Sequence, residues 1–132
     1  ALEALLDDCI PSFREPALQC IALAKKIRQE FKSQEFYDEV DSMIQHLAQL
    51  TANHRELLKR SLAFGTDQQK KTMTHLLKKQ AETVEGSLTA LKRFSGNLTL
   101  FDLQFKDQKE IDGEIKAINL GLQEAIREIQ HD

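Results

Sequence analysis

A chain of 132 residues that is 41% hydrophobic and 30% charged has the balance of one globular domain, too apolar for a disordered segment and too polar for a membrane span. Five glycines and two prolines are too few for an all-β domain, which needs a turn roughly every 8–12 residues. Eighteen basic against 21 acidic residues give a net charge of −3, which leaves no global field to draw nucleic acid.

The first element is a short amphipathic piece over 2–10, with Leu2, Leu5, Leu6 and Ile10 on one side. Pro11 and Pro16 separate it from the first long helix, and it is expected to cap a bundle end. The opening Ala1-Leu2-Glu3 has neither an initiator Met nor a signal-peptide pattern, so residues 1–132 are expected to be a single helical-bundle domain excised from a longer chain. A helix is predicted over 13–32: Ser12-Phe13-Arg14-Glu15 reads as a capping box, and Phe13, Ala17, Cys20, Ala24, Ile27 and Phe31 make its apolar stripe. Ser33 is the expected cap of the next helix.

That second helix is predicted over 35–64, with Phe36, Val40, Met43, Leu47, Leu50, His54, Leu57, Ser61 and Phe64 at alternating steps of four and three. Gly65 beside Thr66-Asp67-Gln68-Gln69 is a stop next to a capping box. A third helix is predicted over 67–95, with Met73, Leu77, Gln80, Val84, Ser87, Leu91 and Phe94 on its seam. Gly96-Asn97-Leu98-Thr99 repeats the grammar and predicts a second hairpin bend, with Thr99 as N-cap of a helix over 100–130. Its stripe runs Phe101, Gln104, Gln108, Ile111, Ile115, Ile118, Leu122, Ala125 and Ile129.

Short loops and a period of 3.6 predict an all-α, antiparallel up-down-up-down four-helix bundle with a short proline-separated N-terminal helical segment. The small residues Ala17, Cys20 and Ala24 are expected to face Met43, Leu47 and Leu50 on the second helix. Cys9 and Cys20 are expected to be reduced and buried.

Polar residues on the apolar seam, namely His54, Gln80, Ser87, Gln104 and Gln108, must pair, reach water or mark a pocket. Register specification is the structural account of them. A bend at Gly96 would set Ser87 level with Gln108. No Glu-x-x-His or His-Glu-x-x-His occurs, and His46 and His54 lie about 80° apart around their helix, so no metal site is expected. There is no phosphate-binding glycine loop and no Gly-x-Ser-x-Gly elbow, so neither cofactor nor catalysis is expected.

Residues 66–97 carry six basic and three acidic side chains, and 98–132 carry four and eight. Lys71, Lys78, Lys79, Lys92 and Arg93 form a basic stripe on the third helix, where a solvated face is the bland account and a docking strip for an acidic or amphipathic partner helix the sharper one. The expectation is therefore a cytoplasmic, non-enzymatic interaction module of scaffold or adaptor type that binds a partner helix. Nucleic acid is not an expected partner, and a membrane only through segments outside these residues. The alternative is an extracytoplasmic four-helix ligand-sensing domain of a membrane receptor, with the polar seam lining its site. Apolar positions left over at Leu18, Leu23 and Leu103 leave room for a homodimer.

Overall fold

The computed structural model describes residues 2–31 and 34–130, with only the backbone described at Gln34, Ile129 and Gln130. The predicted cap Ser33 lies outside the described residues. Every element among them is helical, and five α-helices pack against one another: α1 (Leu2–Leu6), α2 (Pro11–Glu30), α3 (Tyr37–Ala63), α4 (Asp67–Asp102) and α5 (Gln108–Gln130). A single 3-10 turn, Gln34–Phe36, leads into α3.

The α1 segment docks on α2 and α3, with Leu6 and Cys9 buried and Leu2 half-buried against the core. Helix α2 starts at Pro11, two residues before the predicted start, and the Ser12 capping box does not form. Pro11 explains the shift: it has no N–H to leave bare at the first helical position, and its φ is already helical. At the other end Phe31 closes α2 by donating its N–H to the Ile27 carbonyl at 3.0 Å. The Tyr37 hydroxyl donates to the Phe31 carbonyl, fixing the start of α3 beside the end of α2.

Both cysteines are free and buried, and burial pushes the Cys9 thiol up to about 11 and the Cys20 thiol up to about 12. The small residues of α2 do not chiefly face α3 as expected. The main neighbour of α2 is α4, which also packs against α3 and α5. The α4 stripe is wide enough for this, with Leu77, Val84, Leu91 and Leu98 flanked by Gln80, Ala81, Leu88 and Phe94 in the interior. Leu18 and Leu23 are half-buried against the core, whereas Leu103 is exposed.

The Gly65 bend forms as predicted. Gly65 has φ +103°, and the Thr66 hydroxyl accepts from the Gln69 N–H (3.2 Å) while the Gln69 side chain accepts from the Thr66 N–H (2.9 Å). Gly96, by contrast, makes no bend. Helix α4 runs through it to Asp102, and Thr99, instead of capping a new helix, bonds its hydroxyl back to the Ser95 carbonyl at 3.3 Å. One helical glycine costs only about 1 kcal/mol. Breaking there would strip Leu98 and Phe101 from the stripe that begins at Leu91 and Phe94.

The chain turns eight residues later, at Gln104, a non-glycine with φ 69°. Phe105 donates its N–H to the Leu100 carbonyl (2.8 Å) and Gln104 to that of Phe101 (2.9 Å), a Schellman close. Moving the glycine to where the chain actually turns is expected to stabilise the fold. Gly96→Ala, whose new Cβ meets nothing within 4 Å, and Gln104→Gly should each add about 0.5–1 kcal/mol in urea unfolding. A bend at Gly96 would make the first substitution destabilising instead.

Candidate functional site

The later turn moves the register of α5. Ser87 is half-buried in an α4–α5 groove of about 320 Å³ with Gly86, Ala90, Ala117, Ile118 and Gly121, while Gln108 opens α5 on the surface. Gln104 and Gln108 are thus not seam residues, because both belong to the exposed connection and its exit. They share no pocket with Ser87.

His54 and Gln80 do meet. His54 is fully buried, and its Nδ1 lies 2.7 Å from Gln80 Oε1. Its Nε2 accepts the backbone N–H of Ile10 at 3.3 Å, and the Phe13 ring stacks on it at 4.1 Å. A nitrogen that accepts from an amide carries no proton, so the proton of the neutral ring sits on Nδ1 and is donated to Gln80. This fixes the Gln80 amide with its oxygen toward the ring, and the buried Gln80 Nε2 has no partner. Burial lowers the pKa of His54 below the ordinary histidine value, partly offset by the Gln80 hydrogen bond.

A second polar cluster joins α3 to α5. Asn119 is buried, its Oδ1 lies 2.8 Å from His46 Nδ1, and its Nδ2 donates to the Glu39 carbonyl at 2.9 Å. His46 Nε2 lies 3.2 Å from the Gln123 amide. Asn119 escaped the sequence analysis, although its spacing four residues after Ile115 and three before Leu122 would have placed it on the seam. Among the described residues no group of three or more His, Cys, Asp or Glu side chains is arranged to hold a metal ion. No described helix is long and apolar enough to cross a membrane.

The side chains of Lys71, Lys78, Lys79, Lys92 and Arg93 are all exposed, in different surroundings. Lys71 lies beside Lys70, Asp67 and Thr74 near the Gly65 turn. Lys79 pairs with Glu128 of α5 at 3.1 Å, and Arg93 edges the α4–α5 groove beside Glu114. The Lys92 charge reaches Cys20 on α2, and Lys78 stands in solvent.

An open apolar surface lies at the Gly65 end. The last buried residue of α3 is His54 and the first of α4 is Leu77. Beyond them the α3–α4 hairpin projects about 14 Å, nine residues at 1.5 Å each, past the level where α2 begins. The apolar stripe continues onto this overhang without cover. Leu57, Ser61 and Met73, expected in the core, are only half-buried, and Phe64 is 67% exposed. Leu57, Arg60, Phe64, Met73 and Leu76 line an open groove of about 610 Å³. The extended backbone of Phe64 (φ −132°, ψ 156°) ends α3 and turns its ring outward. Arg60 is the charged residue among those lining the groove and pairs with Glu56 at 2.7 Å, while Lys70 and Lys71 lie beside Asp67 on the adjoining surface. No protein-family model, curated protein sequence or solved structure matches the chain.

Proposed function

We propose that the chain is an up-down-up-down four-helix bundle, its consecutive helices antiparallel and its side-by-side pairs α2–α4 and α3–α5 parallel, acting without catalysis as an interaction module of scaffold or adaptor type, and that its docking site is the uncovered groove of the α3–α4 overhang. The running order is supported by contacts that tie Phe13 to His54, Arg28 to Asp41 and Asn97 to Glu114. One observation carries the docking site: an apolar seam that two helices form and no third helix covers. A partner helix laid along Leu57, Phe64, Met73 and Leu76 would bury the seam that α3 and α4 leave open there. Arg60 at the groove, with Lys70 and Lys71 next in sequence to its lining residue Gln69, favours a helix with acidic flanks and contributes more to recognition than to affinity.

Titration of a synthetic amphipathic helix with a leucine face and glutamate flanks, followed by backbone NMR, tests the proposal. Shifts should concentrate on residues 55–76 and disappear in Met73→Asp. The same peptide with lysine flanks should bind at least about tenfold more weakly at low salt. Shifts spread over other faces, or equal binding of the two peptides, would overturn it.

A further inference from the structure

We propose that residues 2–10 form a latch held shut by the neutral His54 ring, and that protonating this ring releases the segment from the seam between α2 and α3. Helices α2 and α3 touch each other sparingly, and α1 contacts both where their seam begins. Leu6 and Cys9 plug this seam, and α2 begins just after the plug, at Pro11. The tethers are few. Glu3 pairs with Lys25 (3.0 Å) and Asp8 with Arg55 (2.7 Å), both near the surface, and Arg14 donates to the Cys9 carbonyl at 3.1 Å. Besides the apolar burial of Leu6 and Cys9, the polar tether from the interior among the described residues is the Ile10 N–H to His54 Nε2.

Protonation turns Nε2 from acceptor into donor. It would then oppose the Ile10 N–H with a second N–H and place a charge in a fully buried site. The groups facing this ring offer that charge no compensation. The latch brings Asp8, already paired with Arg55, and the Cys9 thiol, which stays neutral because burial raises its pKa. Helix α2 brings Phe13 and the cation Arg14, α3 the cation Arg55, and α4 the neutral Gln80. Lys79, next to Gln80, is turned to Glu128 of α5. The strain is relieved most cheaply where the structure is least anchored, at the short segment beyond Pro11.

In the open segment the ring titrates near its ordinary value of 6.5. Acidification from pH 7.5 to 5.5 can therefore raise the open population up to about tenfold, and carboxyl groups, which titrate around pH 4, contribute little in that window. Two readouts on the intact protein test this. Hydrogen-exchange protection factors should fall about five- to tenfold for residues 3–10 and should lie well below those of α5 at every pH, because the latch opens without the rest of the bundle. Labelling by 4,4′-dithiodipyridine, expressed relative to a free cysteine at each pH because the thiolate fraction falls on acidification, should accelerate by a similar factor at Cys9 and should stay faster there than at Cys20, which lies deep in the core. His54→Gln, which keeps an acceptor for Ile10 but cannot take up a proton, should flatten both responses. Equal labelling rates at Cys9 and Cys20 would mean that only global opening exposes Cys9 and would overturn the latch. So would a Cys9 rate that changes less than twofold in the wild-type protein, whether or not the variant folds.

Discussion

Phe94→Ala is expected to cost about 3–5 kcal/mol of folding stability. Phe94 is fully buried and stands edge-on to Phe36, with ring centroids 6.1 Å apart at 86°, and Phe36 in turn meets Phe101 at 5.8 Å and 81°. Alanine removes both the transfer energy of the ring and an aromatic contact worth about 0.5–1.5 kcal/mol. The cavity would be slow to collapse, since Leu91 and Leu98 are held one turn away on the same helix and Phe36 is anchored by the turn that starts α3. The contrast is Leu103→Ala, at a side chain 61% exposed, where a change within about 0.5 kcal/mol is expected. Urea unfolding followed by far-ultraviolet circular dichroism gives both numbers. A loss under about 1 kcal/mol for Phe94→Ala would mean that α4 does not carry its seam across Gly96, because only an unbroken helix puts Phe94, Leu98 and Phe101 on one buried face.

Gly65 and Gly96 read alike as sequence, and one of them misleads. The difference lies in the residues downstream of each glycine. After Gly65 comes a capping box and no large apolar residue until Met73, so nothing is lost by turning there. Across Gly96 the stripe Leu91, Phe94, Leu98, Phe101 continues in steps of three and four, and burial of those four outweighs the roughly 1 kcal/mol that a helical glycine costs. The true turn at Gln104 carries no glycine and so gives no local signal. The level of Ser87 against α5 and the seam positions expected of Gln104 and Gln108 all depend on where the chain turns, so one misplaced bend displaces all three.

Periodicity located His54 and Gln80 but could not name their partners. Those depend on α2 lying against α4, and on its first turn arriving opposite His54, which are properties of the assembled helices. The uncovered overhang was illegible for a related reason. A stripe states which side of a helix is apolar. Whether anything covers it depends on where the neighbours end, and α2 begins only at Pro11. The same stripe that is core at Leu47 is therefore an open groove at Leu57 and Phe64.

The second large effect is expected from the buried pair itself. His54→Leu removes the acceptor of the Ile10 N–H and the donor to Gln80 Oε1, and leaves the whole Gln80 amide bare in the interior, at a cost of about 3 kcal/mol. Gln80→Leu leaves only the His54 Nδ1–H unpaired and also removes the orphaned Gln80 Nε2, so its cost should fall near 1 kcal/mol. In the double variant neither side chain strands the other, and the two losses should fall short of additivity by about 1–2 kcal/mol. Acidity supplies an independent check. The folded protein holds His54 below its ordinary pKa, so the unfolded chain binds the proton more readily. Stability from this group is then complete above about pH 6.5 and is lost as pH falls below it, by at most about 1.4 kcal/mol per unit. The difference between the pH profiles of wild type and His54→Leu isolates the contribution of His54. Additive single losses, or an acid slope that survives His54→Leu unchanged, would show that the ring and the amide do not act as one buried unit.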